Sequence, residues 1–399
     1  MVVKIPVPAA DRASIEEFVD LHLGHLVDGS AMGSPSIRGG QRAANLALQT
    51  FCVRGYSRNR NEVFPVERRA ASRLSPYIRH GLLQLREVWD AVEGGPERDV
   101  GKFRDELLWQ EYARHWYASL GEQTKSALRQ QPIDLRTGSG WDRTLSCLDE
   151  AVTELETHGW IVNQTRMWLA SDWSVRNKQV WTEGEDLFFK HLLDGSRAAN
   201  RLGWQWTSGV GSSRPYGFSR WQVEKRAPGL CEKCAYQKRC PLEERPTLSG
   251  FKSLSPPKNL ELFGPTSVRD EGVPKAVWLT AESLGDQDPA LSAYPDLPVI
   301  FVFDEPLLAK LRLTSKRYVF ILEALAEMAQ IRSVEIRLGS PSVELKGLPL
   351  AVTHAPVPGF QKHAERLKPV RTHPWPWLCH PVPGSVRSFS AWSRKVHQP

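Results

Sequence analysis

The chain lacks the features of a membrane-inserted or secreted protein. No run of about 18 apolar residues occurs in its 399 residues, so we predict no transmembrane helix. The N-terminal stretch MVVKIPVPAADRASIEEF carries acids and prolines instead of an apolar segment, so no secretory signal is expected. Internal repeats are missing as well. We therefore expect a cytoplasmic, monomeric protein.

Acidic residues are in deficit, and tryptophan is in excess. There are 45 acidic and 52 basic residues, which gives a net charge of +7 and a pI of about 9.1. This modest excess of positive charge favours a polyanionic partner such as nucleic acid. The 15 tryptophans suit aromatic stacking or electron transfer as well as core packing. The length predicts two or three domains.

Helical periodicity dominates the first half of the chain. Ser14 and Glu17 fit a capping box that would begin a helix over residues 12–30. Further helices are predicted over 43–51, 78–92, 103–120, 147–156, 164–174 and 186–193. No strand-rich segment interrupts them. We therefore predict an all-helical domain over residues 1–242.

The residue composition and the hydrophobic pattern change after Cys240. Residues 243–274 are rich in Pro, Gly and Ser and read as a linker. The order strand, strand, helix, strand follows, which predicts a doubly wound, Rossmann-like α/β domain over residues 275–399. The predicted elements are strands at 276–280 and 298–304, a helix at 317–331 and a strand at 334–339. The proline-rich tail after Pro356, which contains Trp375, Trp377 and Trp392, gives no clear prediction.

Three of the six cysteines are clustered. CEKCAYQKRCP places Cys231, Cys234 and Cys240 in a C-x2-C-x5-C pattern, and disulfides are not expected in a cytosolic chain. Thiolates so spaced can reach one metal centre, and Cys147 is the best candidate for a fourth ligand. Four cysteines suit either tetrahedral zinc or an iron–sulfur cluster, and spacing alone slightly favours zinc. The alternative is unligated thiols in a basic loop.

Four stretches in order resemble a known family. They are RLSPYIRHGLL (73–83), FRDELLWQEYARHW (103–116), HGWIVNQTRMW (158–168) and DGSRAANRLGWQWTSGVG (194–210). Together they look like successive motifs of the FAD-binding domain of the photolyase/cryptochrome family. Because four motifs in the right order are far more specific than any one, the resemblance implies an all-helical FAD-binding domain.

The resemblance implies roles around the flavin ring. Asp194 would pair with Arg166 beside the isoalloxazine, and Asn200 would lie at flavin N5. Trp204 and Trp181 would be the first two members of an electron-hopping chain, since indoles form transient radicals. Core packing is the alternative for each tryptophan.

The phosphate end of the cofactor follows from the same resemblance. Ser72, Leu74 and Ser75, with the backbone that starts a helix at Pro76, resemble the loop that holds the FAD pyrophosphate. A helix N-terminus with hydroxyl side chains favours an anion. Ordinary helix capping is the alternative for the two serines. Two further residues, Tyr56 and Gln110, are weaker candidates for contacts with the same cofactor.

Four more residues match family positions that contact a cyclobutane pyrimidine dimer. Trp109 would stack on the flipped-out lesion, Glu106 and Asn163 would hydrogen-bond the pyrimidine edges, and Met167 would add a polarizable contact. The resemblance thus implies a deoxyribodipyrimidine photolyase, a carbon–carbon lyase that repairs UV-damaged DNA. The alternatives are a cryptochrome-like blue-light photoreceptor, a (6–4) photolyase, or a light-independent iron–sulfur nucleic-acid-binding protein with a vestigial flavin site.

The sequence also departs from the family pattern. Ser196 stands where the family has the second Asp of a D-G-D motif, although we still assign it to the flavin site. Ala71 replaces a Thr of the phosphate loop. Pro132 falls near the position of the outermost tryptophan of the usual triad. Other exits for an electron would then be Trp116, Trp141 or Trp173.

The cysteines resemble those of the iron–sulfur branch of the family. That branch carries a [4Fe–4S] cluster, held by one Cys in the helix before the third motif, then C-x-x-C and a later Cys-Pro. LSCLDEAV and CEKCAYQKRCP match this order, with a shorter final spacer. The resemblance therefore moves the expectation from zinc to [4Fe–4S], with Cys147, Cys231, Cys234 and Cys240 as ligands.

The α/β segment resembles the antenna domain of the same family. VWLTAESLGDQDPAL (277–291) looks like its first strand and loop, but that domain ordinarily comes first in the chain. The resemblance implies a circular permutation, and an unrelated doubly wound domain is the alternative. Thr280 and Ala281 stand where the family has arginines, so the presence and identity of an antenna chromophore stay open.

Overall fold

Helices form most of the first 226 residues. The computed structural model describes residues 3–246, 248, 250–382, 384, 388–397 and 399. The helices of this part are α1 (Arg12–Phe18), α2 (Gln41–Thr50), α3 (Tyr56–Asn59), α4 (Ser75–Arg79), α5 (Leu85–Asp90), α6 (Glu97–Leu120), α7 (Ser146–His158), α8 (Asn163–Ser171), α9 (Trp181–His191), α10 (Ala199–Ser208) and α11 (Arg220–Arg226). The predicted helical character of this half is confirmed.

Two helix predictions need correction. Asp11 caps α1, because its carboxylate accepts a hydrogen bond from the Ser14 backbone N–H at 2.9 Å; Ser14 is therefore not the capping residue. The helix then continues as a π-helix and a 3₁₀ turn, which end at Leu26. The predicted helix at 78–92 is divided into α4 and α5. Gly81 lies in the break with φ of +68°, a conformation that favours glycine.

The α/β part is built on one seven-stranded sheet. The described strands of the chain are β1 (Lys4–Ile5), β2 (Gln130–Pro132), β3 (Phe251–Ser253), β4 (Arg269–Asp270), β5 (Ala276–Leu279), β6 (Val299–Asp304), β7 (Val334–Gly339), β8 (Leu350–Thr353) and β9 (Arg371–His373). All belong to this sheet except β2 and β3, which form a separate pair. The sheet order is β1-β7-β6-β5-β8-β9-β4, with β7-β6-β5-β8-β9 parallel. From β5 the chain adds β6 and β7 on one side of the sheet, and then β8 and β9 on the other side. This confirms the predicted doubly wound fold.

Several short strands lie outside the ranges predicted for strand structure. β1 pairs antiparallel with β7, and β4, within the predicted linker, pairs antiparallel with β9. β2, in the helical half, pairs with β3 from the linker. The structure thus adds short strands within the helical half and within the segment expected as a linker, while no strand-rich segment interrupts the described helices. Strands of two or three residues are too short to show an alternating pattern.

The sheet is covered by helices on both faces. The remaining helices are α12 (Pro289–Ala293), α13 (Glu305–Leu311), α14 (Ser315–Met328), α15 (Pro341–Glu344), α16 (Pro358–Leu367) and α17 (Phe389–Ser393). Val277 and Leu279 of β5 join the core of the helical half, whereas Trp278 points into a second core on the opposite face. This alternation is what a strand imposes.

Helix α14 connects the two halves of the molecule. It is buried nearly all round, as expected of a helix enclosed by other elements. Its Phe320 packs against Tyr77 of α4, and its Tyr318 packs against Phe303 of the sheet. Glu323 accepts hydrogen bonds from Arg12 at 2.9 Å and from the Gly39 N–H at 2.6 Å. The sheet and the helical half therefore share one continuous core.

The longest helix, α6, has 24 residues and carries charged side chains along its length. Among the described residues, no helix is both long enough and apolar enough to cross a membrane.

Candidate functional site

One large cavity opens into the helical half. Its volume is about 640 Å³, which is in the range of small-molecule and cofactor sites. Side chains of α3, α4, α6, α8 and α10 line it. Twelve of the residues predicted from the sequence lie on its wall: Tyr56, Ser72, Ser75, Glu106, Trp109, Gln110, Asn163, Arg166, Met167, Asp194, Asn200 and Trp204. The structure thus brings both predicted groups, for cofactor and for lesion, into one place.

Three predicted residues lie elsewhere. Ser196 lines a smaller adjoining hollow of about 50 Å³, which shares Arg166, Asp194 and Asn200 with the large cavity. Leu74 is fully buried in the core, so a side-chain contact with a cofactor is excluded and only its backbone could serve. Trp181 is buried at the start of α9 and does not line the cavity.

The predicted ion pair is present at the cavity wall. Arg166 Nη2 donates to Asp194 Oδ2 at 2.8 Å, and Arg166 Nε donates to the Ile161 carbonyl at 3.0 Å. The second carboxylate oxygen, Asp194 Oδ1, is buried without a hydrogen-bond partner among the described residues. A buried carboxylate oxygen without a partner is costly. It is therefore suited to accept a hydrogen bond from a bound molecule.

Ser196 and Asn200 form a small motif at the start of α10. The Ser196 N–H donates to Asn200 Oδ1 at 2.6 Å, and Ser196 Oγ accepts from the Ala198 N–H at 3.1 Å. Because the amide oxygen of Asn200 is engaged, its NH₂ group is the part available to a ligand. The backbone of Ser196 therefore orients the Asn200 amide, and the Ser196 hydroxyl adds a hydrogen bond in the turn before α10.

The loop before Asn200 is held from the α/β side by Arg317 of α14. Its guanidinium is buried and donates to the carbonyls of Phe189 and Leu192 at the end of α9. Burial lowers the pKa of Arg317 to about 9. A buried cation that donates to the last carbonyls of a helix also suits the negative end of the helix dipole. The position of Asp194, two residues after Leu192, thus depends on the α/β part.

The serines predicted at the phosphate end lie on the cavity wall at α4. Trp160 Nε1 donates to Ser75 Oγ at 3.0 Å, and the Leu74 N–H donates to Ser72 Oγ at 3.4 Å. No side chain caps the N-terminus of α4, so helix capping does not account for either serine. Arg73 between them has φ of +57°, which turns the chain at this point.

The residues predicted to contact a lesion lie toward the exposed side of the cavity. Glu106 is paired with Arg60 at 3.3 Å and with Lys102 at 3.0 Å. Asn163 Nδ2 lies 3.8 Å from Met167 Sδ, one helical turn away on α8. Trp109 remains 38% exposed although it lies on the cavity wall. An exposed indole beside hydrogen-bonding groups can stack on a planar ligand.

The structure adds cavity residues that the sequence prediction missed. Arg60, Trp160, Trp206 and Tyr216 line the cavity. Trp206 is 44% exposed, whereas Trp204 is 2% exposed. Helix positions i and i+2 do not share a face, so the Trp204 indole is buried and the Trp206 indole lies at the surface. The doubled tryptophan in GWQW was the available signal for Trp206.

An aromatic contact path leads away from Trp204. A Cβ atom on Gly184 would lie 2.3 Å from Trp204 Cη2 and 3.1 Å from Trp173 Cδ2, so both indoles meet at this glycine. Trp173 and Trp141 have ring centroids 5.0 Å apart, and Trp141 is half-buried. For Trp181, no ring contact with another aromatic side chain is found in the described part of the chain. Pro132, near the expected outer tryptophan, is buried in β2.

The four predicted cysteine ligands converge on a second hollow. Cys147 at the start of α7 and Cys231, Cys234 and Cys240 all line it. Burial and then the neighbouring Cys231 raise the pKa of Cys147 strongly, and burial raises the pKa of Cys231 to about 11. No His, Cys, Asp or Glu group among the described residues is arranged to hold a single metal ion. Zinc would need its sulfurs about 2.3 Å from the metal.

The strand order of the sheet reverses between β5 and β8, and the crevice at this switch point, beyond the ends of these two strands, is largely filled by side chains. Arg79 of α4 pairs with Glu282 in the loop after β5, and His80 Nδ1 lies 2.8 Å from the Ala281 carbonyl. The guanidinium of Arg114 lies over the ring of Trp375. Two hollows found there, of about 50 and 20 Å³, are well below the size of a chromophore site.

Comparison with known proteins finds a match in the helical part. Residues 103–228 match the family model described as the FAD binding domain of DNA photolyase. These residues are thus similar to the FAD-binding domain of DNA photolyases. The match runs from within α6 to the end of α11, the part that holds most of the cavity.

Several curated relatives carry one name, deoxyribodipyrimidine photo-lyase. The protein of a Synechococcus species is 31% identical over 199 residues, which is 45% of this chain and 40% of the relative. A Thermus thermophilus protein is 32% identical over 202 residues, 46% of each chain. The Escherichia coli protein is 30% identical over 199 residues, 44% of this chain and 41% of the relative. The chain thus matches less than half the length of these relatives.

Two solved structures are similar over a comparable share. A class III photolyase from Agrobacterium tumefaciens is 26% identical with a TM-score of 0.39, covering 47% of this chain and 42% of the other. A Synechocystis cryptochrome is 20% identical with a TM-score of 0.44, covering 50% and 46%. TM-scores this low do not establish a common overall arrangement.

Proposed function

We propose that this protein is a blue-light-driven DNA photolyase that splits cyclobutane pyrimidine dimers with FAD as its cofactor. The observation that carries the proposal is the single cavity of about 640 Å³. It has the Arg166–Asp194 pair on its wall, together with the four residues expected to contact the lesion. The photo-lyase name shared by the curated relatives supports the same activity.

The residues at the inner end of the cavity fit a flavin. Asp194 Oδ1 is buried and lacks a partner among the described residues, so it can accept a hydrogen bond from a ring N–H. The free amide NH₂ of Asn200 can donate to a ring nitrogen, and the hydroxyls of Ser72 and Ser75 can donate to phosphate oxygens. When bound and reduced, FAD would supply the electron that opens the dimer on illumination.

The outer residues fit a flipped-out pyrimidine pair. Trp109 presents an exposed ring for stacking, and the Glu106 carboxylate can accept hydrogen bonds from pyrimidine N–H groups. Arg60 and Lys102 hold Glu106 from two sides, so its carboxylate is oriented before DNA binds. The net charge of +7 would attract the phosphate backbone.

Two features distinguish the alternatives. A cryptochrome-like photoreceptor would need the Arg166–Asp194 ion pair beside the flavin. It would not need the four residues expected to contact the lesion together on the cavity wall, namely Glu106, Trp109, Asn163 and Met167. A vestigial flavin site is disfavoured by the open cavity and by the Asp194 oxygen, which has no partner in the described part of the chain. A (6–4) photolyase would use the same cavity, so the lesion itself must be tested.

For electron supply we keep Trp204 and Trp181 as the proposed first members of the chain. The contacts at Gly184 add a second route from Trp204 through Trp173 to Trp141. Trp141 is half-buried and Trp116 is enclosed in the core, which makes Trp141 the better exit.

We further propose that Cys147, Cys231, Cys234 and Cys240 hold a [4Fe–4S] cluster. The donor set is four thiols around one hollow, and the Leu242 N–H donates to Cys240 Sγ at 3.4 Å. A hydrogen bond to a ligand sulfur is one of the means by which proteins tune such clusters. Zinc is the alternative for the same four thiols. Iron and sulfide analysis of protein purified without oxygen tests this assignment.

The domain ranges 1–242, 243–274 and 275–399 and the circular permutation also belong to this proposal. The pairing of β1 with β7 supports the permutation, because it brings the start of the helical half to the edge of the sheet. An antenna chromophore is not part of the proposal, because the crevice at the switch point is filled by side chains.

Repair of a defined oligonucleotide tests the proposed activity. DNA with one thymine cyclobutane dimer is mixed with the reduced protein in blue light or darkness and analysed by chromatography. Light-dependent recovery of the two thymines is expected. Glu106→Gln should slow repair about 10- to 100-fold, the value of a charge-assisted hydrogen bond, with FAD content unchanged.

Asp105→Asn is the matched control, because this exposed neighbour on α6 does not line the cavity. If the wild type holds reduced FAD and yet restores no thymine, the dimer-repair function is wrong. A (6–4) lesion is then the next substrate to test.

A further inference from the structure

A short helix late in the chain packs against Trp109, one of the residues predicted to contact the lesion. This helix, α17, lies far from the catalytic half in sequence and packs against α6. The Phe389 ring is nearly parallel to the Trp109 indole, with an interplanar angle of 9° and centroids 4.0 Å apart. This is the closest and flattest stack that Trp109 makes within the described residues; its contact with Tyr112 is edge-on.

The two faces of the Trp109 indole have different surroundings. Trp109 lines the cavity but Phe389 does not, so Phe389 covers the face turned away from the cavity. On α6, the cavity side carries Glu106 and Gln110, whereas Tyr112 faces α17. Trp109 stands at the border between these two sides. Its uncovered face is therefore the one available to a flipped-out base.

Buried hydrogen bonds join both α17 and Cys379, which precedes it in the C-terminal segment, to α6. Trp392 is 1% exposed, and its Nε1 donates to His115 Nδ1 at 2.9 Å. His115 Nε2 then donates to the Cys379 carbonyl at 3.0 Å, the pattern of a neutral imidazole. The Cys379 N–H donates to Glu111 Oε1 at 3.0 Å. These contacts join the C-terminal segment to α6 at two consecutive turns.

We propose that Phe389 is a positioning residue for lesion recognition, which rests on the proposed photolyase function. Phe389 holds the Trp109 ring at a fixed angle, so that its cavity face is ready to stack on the dimer. Without this support, an indole that is 38% exposed would sample other rotamers. Holding a binding group in its bound conformation raises affinity because less freedom is lost on binding.

Binding measurements with three variants test this role. Phe389→Leu removes the ring but keeps apolar bulk, Phe389→Tyr keeps the ring, and Ser390→Ala changes an exposed neighbour on the same helix. We expect Phe389→Leu to weaken binding of dimer-containing DNA about two- to tenfold, as for loss of an aromatic pair. Binding of the same DNA without a dimer, and the splitting rate at saturating DNA, should stay unchanged. The other two variants should match the wild type.

A second readout needs no DNA. With 5-fluorotryptophan labelling and the Trp109→Phe variant for assignment, the fluorine resonance of Trp109 should shift and broaden in Phe389→Leu alone. An unchanged resonance and unchanged dimer affinity in Phe389→Leu would overturn the positioning role while the photolyase function stands. If the wild type does not prefer dimer-containing DNA, the photolyase function fails, and the lesion role of Phe389 fails with it.

Discussion

Gly184 is the position where one added methyl group should disturb the proposed electron donor. It lies inside α9, and an ideal Cβ there would lie 2.3 Å from Trp204 Cη2 and 3.1 Å from Trp173 Cδ2. Carbon atoms in contact prefer separations of about 3.5–4.0 Å, so the Trp204 ring must move by more than about 1 Å. Trp204 is 2% exposed and packs edge-on against Phe188 at 5.0 Å. The ring therefore cannot move without displacing its neighbours.

The expected change in stability of Gly184→Ala follows from two opposing terms. Alanine inside a helix is favoured over glycine by about 1 kcal/mol. Overpacking a buried site costs about 1–3 kcal/mol. Gly101 is the matched control, because it lies inside α6 and a Cβ there would meet no described atom within 4 Å. The helix term is common to both variants, so their free energies of unfolding should differ by about 1–3 kcal/mol.

Urea unfolding of the flavin-loaded protein measures this difference. Gly101→Ala should be stabilised by about 0.5–1 kcal/mol, and Gly184→Ala should be less stable than the wild type. Gly184→Ala should also photoreduce its flavin more slowly, because Trp204 no longer lies in its original position. If both variants are stabilised equally, Gly184 does not separate two packed indoles, and the contact path argued above is wrong.

Two further predictions concern the electron route and a buried acid. Trp173→Phe should slow flavin photoreduction by an external thiol at least as much as Trp181→Phe, measured by flavin absorbance under blue light. An effect of Trp181→Phe alone would refute the second route through Trp173. Burial raises the pKa of Asp288 to about 6, above its unfolded value of 3.8, so its contribution to stability falls as pH rises from about 4 to 6. Asp288→Asn, which keeps an oxygen for the backbone N–H groups of Ala290 and Leu291, should therefore gain about 3 kcal/mol relative to the wild type between pH 4 and pH 8. A pH-independent difference between the two proteins would contradict this reasoning.

Sequence pattern alone was sufficient for the main elements of the fold. The strands at 276–279 and 299–304 were predictable because buried parallel strands are nearly continuous apolar runs. The strand at 334–339 was predictable because its apolar and polar residues alternate. The helical half was predictable because its helices have apolar positions at helical spacing. Most of the predicted cavity residues could be identified because four motifs resemble those of the photolyase/cryptochrome family.

The same pattern could not reveal contacts between distant segments. β1 and β4 have two residues each, and their place at the edges of the sheet depends on the strands they meet, β7 and β9. Trp204 and Trp173 can approach each other at Gly184 because this residue has no side chain. That approach becomes visible only when α9 and α10 are packed together.

The sequence by itself determined which residue types the protein has for its chemistry: the ion pair, the serines, the indoles and the four thiols. Only the tertiary structure decided which of them face one cavity, and that a phenylalanine near the C-terminus supports Trp109 from behind. The physical reason is that hydrophobic periodicity is a local property of each segment. Stacking and burial between segments hundreds of residues apart arise only when the whole core has closed.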